Sequence, residues 1–153
     1  MMESGIGISN GIGWSPDDRT MYYTDSPRHT IYAYDYDAAS GSIANRRVLV
    51  HDPEQPGVPD GLTVDQEGFI WSARWGGYCL LRYDPQGKVE RKVTLPVACP
   101  TSCTFGGPDL DQLYITSAWA ELGEARMHEQ PLAGDLFRLK APAAGFPEPK
   151  FAG

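Results

Sequence analysis

Residues 10–14 read NGIGW and residues 60–64 read DGLTV, and the same order of turns and strands follows each stretch. In both copies a turn leads into an aromatic-rich strand, and a second turn leads into another strand. A looser third copy begins at residues 101–105, which read TSCTF. The spacing of about 40 to 50 residues is typical of a four-stranded propeller blade. The sequence therefore predicts three similar antiparallel sheets arranged around one axis.

Alternating β-branched and aromatic residues between turn formers predict an all-β chain. The predicted blades cover residues 10–50, 60–96 and 101–152. Strands within them are predicted at 20–25, 30–36, 46–50, 69–74, 78–83, 88–95, 112–117 and 135–139. An irregular insertion at 119–129 interrupts the third copy, either as a surface loop or as a flap that holds a short helical turn. Closed propellers need at least about four blades, so a three-blade arc leaves its two end faces open.

The composition excludes several classes of function. The chain has 153 residues and a formal charge of -7, which argues against nucleic acid or an anionic membrane as a partner. No apolar run has the length of a membrane span, and residues 1–5 lack the features of a signal peptide. Cys79, Cys99 and Cys103 have no metal-site spacing, and we expect free thiols in a reducing, cytoplasmic compartment.

The repeat places Asn10, Asp60 and Thr101 at equivalent positions. Asn-Gly and Pro-Asp-Gly are common turn sequences, so a purely structural turn is one interpretation. However, the hairpin turn follows several residues later in each copy, which places these residues at the start of the innermost strand, beside the central channel. An amide oxygen and a carboxylate meeting there would suit a hard cation such as Ca²⁺. The sequence thus makes Asn10 and Asp60 candidate metal ligands.

Asp60 has a second candidate role, because a carboxylate beside a cation can accept a proton from water. The alternative is a structural aspartate that caps a turn. Asp25 and Arg74 also occupy equivalent places, after the second strand of their copies. Side chains there are commonly solvated, but they could also pair with polar groups or bind a substrate.

Several segments follow one another in an order that resembles a known family. These are residues 8–15, 22–26, 45–47, 59–65, 75–77, 101–107 and 130–134. Together they resemble the senescence-marker protein, gluconolactonase and luciferin-regenerating-enzyme family, also described as regucalcin-like. The resemblance covers nearly the whole chain. It implies a six-bladed propeller with a divalent metal at the central channel and hydrolysis of sugar lactones or related esters, with some relatives acting on organophosphates.

The resemblance also implies roles for two residues. Asn10 matches the family's asparagine metal ligand, and Asp60 matches the aspartate that is both ligand and general base. The chain resembles only the C-terminal half of the family. The family's glutamate ligand, a further asparagine near the metal, and the arginine and asparagine that hold the substrate have no counterpart here. Ca²⁺ is the favoured metal, and Zn²⁺ or Mg²⁺ would also be compatible.

These observations predict a metal-dependent sugar-lactone hydrolase of the gluconolactonase type, in which Asp60 is the general base. The alternatives are a calcium-binding propeller module without turnover and an inactive, truncated half-propeller. The expected ligand is a small sugar lactone. The expected protein partner is either a second copy in a homodimer or a missing N-terminal half that completes the propeller.

Overall fold

The computed structural model describes residues 1–120 and 128–147, which form three antiparallel sheets. The first sheet contains β1 (Ser9–Trp14), β2 (Thr20–Asp25), β3 (Thr30–Asp37) and β4 (Ser42–His51), in that order. The second contains β5 (Val58–Val64), β6 (Ile70–Trp75), β7 (Cys79–Tyr83) and β8 (Val89–Thr94). The third contains β9 (Pro100–Gly106), β10 (Gln112–Ser117) and β11 (Phe137–Lys140). The predicted insertion lies largely outside the described residues, as does the end of the predicted third blade.

The strands form where side chains alternate between two faces. In β3, Ile31 and Ala33 point toward the second sheet, whereas Tyr32, Tyr34 and Tyr36 point away from it. The predicted strands at 20–25 and 112–117 coincide with β2 and β10. The prediction of 46–50 for β4 was too short, because the strand begins directly after the turn at Gly41 with a run of mostly exposed polar residues.

The second sheet is packed between the other two. Every residue of β7 is buried, because one face of this strand contacts the first sheet and the other contacts the third. Ile31, Ile70 and Leu81 belong to the core on the first-sheet side. Trp71 and Ile115 belong to the core on the third-sheet side. The three sheets therefore stack as successive blades, with β1, β5 and β9 as the innermost strands.

The two end faces of this stack differ in chemistry. The outer face of the first sheet is aromatic: the rings of Trp14 and Tyr36 lie 5.8 Å apart, and those of Tyr32 and Tyr34 lie 6.4 Å apart. The hydroxyl of Tyr34 donates to Glu3 at 2.8 Å. On the third sheet the outward-facing residues of β10 and β11 are mostly polar, namely Gln112, Tyr114, Thr116, Arg138 and Lys140.

The three cysteines are free, as predicted, and all three are buried. Burial raises the pKa of the Cys103 thiol to about 12. In the part of the chain that the structure describes, no helix is long and apolar enough to span a membrane.

Candidate metal and lactone site

Each innermost strand contains a β-bulge at the position that the repeat aligns. Ser9 pairs with Asp25 and Ile12 with Tyr23, so one extra residue is accommodated around Asn10. The register shifts in the same way on β5 around Asp60 and on β9 at Thr101. Bulges redirect side chains and are common beside functional sites. Three equivalent bulges therefore lie side by side at one end of the innermost strands.

Glycine is required beside Asn10 and Asp60 because the innermost strands approach each other closely. A Cβ atom on Gly11 would lie 2.6 Å from the Asp60 carbonyl oxygen. A Cβ atom on Gly61 would lie 2.7 Å from the Thr101 carbonyl oxygen and 2.5 Å from Cβ of Ser102. Neither glycine has a positive φ angle. The Asn-Gly and Asp-Gly pairs are thus strand residues at a close backbone contact, and the turn interpretation is wrong.

This close contact brings Asn10 and Asp60 together. Asp60 is 9% exposed, and Asn10 is half-buried. Burial raises the pKa of Asp60, and hydrogen bonding to the Asn10 side chain and the Gly61 backbone opposes that rise only in part. The Asn10 amide nitrogen also donates to Ser26 Oγ at 3.3 Å. The sequence did not indicate the contribution of Ser26, because a serine at the end of a strand carries no distinctive signal.

The oxygen atoms of Asn10 and Asp60 provide part of the ligand set that a hard cation needs. Among the described residues no lysine or arginine forms an ion pair with Asp60, so a buried carboxylate stands without a cationic partner. Such a group is costly to bury unless a cation compensates it. Its neighbour Asn10 offers an amide oxygen, and Ca²⁺ prefers such oxygen ligands. No cluster of three or more His, Cys, Asp or Glu side chains suited to a metal occurs within 1–120 and 128–147.

Asp25 and Arg74 are fully buried, so the expectation that they are solvated is wrong. Asp25 accepts hydrogen bonds from the backbone N–H groups of Gly7 and Ile8. Arg74 donates to the carbonyl oxygens of Pro56 and Gly57. Both side chains pair with polar groups, as one of the predicted alternatives stated.

A separate concavity of about 400 Å³ lies at the other end of the innermost strands. Trp14, Val64 and Thr104 contribute to its wall, and Phe146 contacts it from the C-terminal segment. Trp14 lies four positions after Asn10, about 13 Å along a strand, and neither Asn10 nor Asp60 lines the cavity. The cavity is therefore distinct from the Asn10 and Asp60 site.

Comparison with known proteins gives a consistent result. The family described as "SMP-30/Gluconolactonase/LRE-like region" matches residues 1–119. Pentonolactonase XacC of Haloferax volcanii is 44% identical over 151 residues, which are 96% of this chain and 52% of that protein. The structure of a calcium-binding protein, regucalcin, from Agrobacterium tumefaciens is 32% identical with a TM-score of 0.92, and the match covers 97% of this chain and 50% of that one. A luciferin-regenerating enzyme structure is 39% identical with a TM-score of 0.86, over 95% and 49% of the two chains.

The chain spans about half the length of the relatives that it matches. The prediction of an all-β propeller with about three blades present is confirmed by these structural matches and by the three stacked sheets. The predicted resemblance is confirmed as well, because the family match covers more than half of the residues. The chain belongs to the SMP-30/gluconolactonase/LRE-like family.

Proposed function

We propose that the chain provides part of the active site of a metal-dependent sugar-lactone hydrolase. The observation that carries this proposal is the buried, cation-free Asp60 carboxylate beside Asn10, at two adjoining bulges. Relatives named pentonolactonase and gluconolactonase support the substrate class. Asn10 and Asp60 would hold the metal, and Ca²⁺ is favoured because one relative is described as calcium-binding and both donors are oxygens.

Asp60 would also act as the general base. A bound divalent cation supplies a Lewis acid that polarises the lactone carbonyl. The Asp60 carboxylate would take a proton from water as the water oxygen bonds to the carbonyl carbon. The bond from that carbon to the ring oxygen then breaks, and the proton passes to the leaving alkoxide to give the hydroxy acid. Burial raises the pKa of Asp60 in the metal-free chain, whereas a bound cation would lower it, so the proposed role as base rests on the position of Asp60 beside the metal site.

The number of ligands limits the expected rate. Asn10 and Asp60 supply two oxygen-bearing side chains, whereas Ca²⁺ usually takes six to eight oxygen ligands. The 153-residue chain should therefore hydrolyse gluconolactone or xylonolactone slowly, well below the roughly 10 per second of a typical enzyme. Missing ligands and substrate contacts each cost orders of magnitude in rate.

The test measures hydrolysis of both lactones with added Ca²⁺, Zn²⁺ or Mg²⁺. The Asp60→Asn variant should lose the whole metal-dependent rate, and Asp35→Asn serves as the control because Asp35 is exposed on the first sheet. A metal-dependent rate that survives in Asp60→Asn would refute the assignment of the base. A parent chain that binds Ca²⁺ without any hydrolysis would favour the alternative of a calcium-binding module without turnover, for which the small ligand set is the supporting observation.

We further propose that the aromatic outer face of the first sheet packs against another set of blades. This face is rich in aromatic rings, whereas the outer face of the third sheet is mostly polar. A ring made from two copies would place an aromatic face against a polar one, so a separate half-propeller is favoured over a homodimer. Light scattering of the purified chain tests this preference, and a stable homodimer at micromolar concentration would contradict it. The buried free thiols are compatible with a cytoplasmic protein.

A further inference from the structure

We infer that Asp25 and Arg74 are positioning residues, which hold the two bulges so that Asn10 and Asp60 face the same point. This inference rests on the proposed function, because the orientation of the two side chains matters only if they bind a common ligand. Neither residue is assigned a ligand or catalytic role. Each acts on the backbone that leads into an innermost strand.

The two residues occupy the same register in their sheets. Asp25 pairs with Ser9, the residue before Asn10. Arg74 pairs with Pro59, the residue before Asp60. Each buried charge therefore arises directly opposite the entrance to a bulge.

Asp25 holds the backbone that precedes Asn10. Its two carboxylate oxygens accept from the Gly7 N–H at 3.1 and 3.2 Å, and one of them accepts from the Ile8 N–H at 3.4 Å. The guanidinium of Arg28, whose Nη1 lies 2.7 Å from Asp25 Oδ2, balances the charge of the carboxylate. The next residue, Ser26, accepts from the Asn10 amide, so one short segment contacts both the backbone and the side chain of this repeat.

Arg74 holds the backbone that precedes Asp60. Its guanidinium donates to the Pro56 carbonyl at 3.2 Å and to the Gly57 carbonyl at 2.9 Å. The carboxylate of Asp52, whose Oδ1 lies 3.1 Å from Arg74 Nη1, balances the charge of the guanidinium. Asp52 also accepts a hydrogen bond from the Tyr83 hydroxyl. The carboxylate of Asp25 binds a segment that presents backbone N–H groups, and the guanidinium of Arg74 binds a segment that presents backbone carbonyl groups.

The bulges explain why such anchors are needed. The ladder between β1 and β2 is irregular around Asn10, and the ladder between β5 and β6 is irregular around Asp60, so regular pairing does not fix those residues. Burying a charge is costly unless its hydrogen bonds are satisfied. Both charges are fully buried, and both direct hydrogen bonds to the segments that enter the bulges.

The third repeat provides a contrast. Ser117 pairs with Pro100 and thus corresponds to Asp25 and Arg74. Its hydroxyl donates to the carbonyl of Asp135 at 2.7 Å and accepts from the N–H of Gly134, so it holds a different segment. The bulge of this repeat carries Thr101, which is not a proposed ligand. Among the described residues, a buried charged side chain at this position, Asp25 or Arg74, therefore occurs in the two repeats that carry candidate ligands.

The test compares matched variants. Arg82 is another buried arginine of the second sheet, but it bonds to Asp65, Glu67 and Glu90 instead of the bulge entrance. Arg74→Met should weaken Ca²⁺ binding by about 10- to 100-fold in calorimetry, as loss of an outer-shell partner typically does. Arg82→Met should lower the melting temperature similarly but change Ca²⁺ binding less than about twofold. Equal effects of the two variants on binding would overturn the inference.

A second pair of variants tests the first repeat. Asp25 and Asp65 are both fully buried and both accept two backbone N–H groups and an arginine. Asp25→Asn should weaken Ca²⁺ binding, and Asp65→Asn should not. Arg74→Lys keeps the charge and part of the hydrogen bonding, so it should recover part of the affinity lost in Arg74→Met, and it also serves if Arg74→Met does not fold.

A readout without metal separates this inference from the proposed function. Amide hydrogen exchange followed by NMR should become faster at Gly61 in Arg74→Met and at Gly11 in Asp25→Asn. The increase in exchange rate should be about ten times larger than the increase at the same glycine in the matched control variant. If the parent chain binds no Ca²⁺ but exchange changes in this pattern, the metal proposal fails and the positioning role stands. If exchange rises equally in variants and controls, the positioning role fails.

Discussion

A methyl group added at Gly61 would test the close contact that brings the bulges together. In Gly61→Ala the new Cβ would lie 2.5 Å from Ser102 Cβ and 2.7 Å from the Thr101 carbonyl oxygen. Carbon atoms in contact normally lie about 3.5 to 4.0 Å apart, so β9 must retreat by about 1 Å. Both obstacles are fixed to the backbone, so no change of rotamer relieves the clash.

The expected magnitude follows from two opposing effects. Overpacking of this kind costs about 1–3 kcal/mol, and the fixed obstacles place Gly61→Ala in the upper half of that range. Replacing glycine also stabilises by about 0.4–1 kcal/mol, because alanine restricts the unfolded chain. We expect a net loss of about 1–2.6 kcal/mol in the free energy of unfolding, which lowers the melting temperature of a chain of this size by about 2–10 °C.

Differential scanning calorimetry gives the readout, and Gly13→Ala is the matched control. A Cβ on Gly13 would meet Leu62 Cδ1 at 2.9 Å and Val64 Cγ2 at 3.3 Å, and both are ends of side chains that can rotate. Its free energy of unfolding should fall by less than that of Gly61→Ala, because methyl groups can shift where backbone atoms cannot. Gly61→Ala with the stability of the parent would refute the packing explanation for this glycine.

Two further results are expected. Burial raises the pKa of Asp60 in the metal-free chain. The contribution of Asp60 to the free energy of unfolding is therefore complete below the pKa of about 3.9 that it has in the unfolded chain. This contribution is lost as the pH rises through the higher pKa that Asp60 has in the folded chain. Asp60→Asn does not ionise, so urea unfolding should show it gaining stability relative to the parent as the pH rises from about 4 to about 7, and a constant difference would contradict the burial cost. The buried thiols of Cys79, Cys99 and Cys103 should react with a thiol reagent at pH 8 only after unfolding, and rapid labelling of the folded chain would show that the cores between the blades open readily.

Most of the architecture could be predicted from the sequence, because strand alternation and repeat spacing are local properties. The bulges could not be predicted, since a register shift depends on two paired strands and no single stretch reveals it. The glycines after Asn10 and Asp60 have a turn-like local sequence, and only the repeat suggested that they belong to strands. Their actual requirement, the approach of a neighbouring backbone, is a tertiary property.

The burial of Asp25 and Arg74 is a second feature that the sequence could not predict. Their equivalence was visible in the repeat, but charged residues are usually exposed, and composition gave no sign that these two are fully buried. Their backbone partners, which include the N–H of Gly7 and the carbonyl of Pro56, lie up to 18 positions away. No side-chain pattern in a sequence marks a backbone carbonyl as a partner, so the pairing became clear only in three dimensions.

The three equivalent bulges make the chemistry of this end of the channel exchangeable without changing the fold. Asn10, Asp60 and Thr101 show that an amide, an acid and a hydroxyl are all accommodated at one structural position. The Thr101 hydroxyl lies 2.6 Å from the hydroxyl of Thr116, so a polar group there already has a neighbour in the adjacent strand. Repetition of a blade thus provides equivalent positions whose charge can change one residue at a time, so the proposed metal site could change its ligands while the scaffold stays the same.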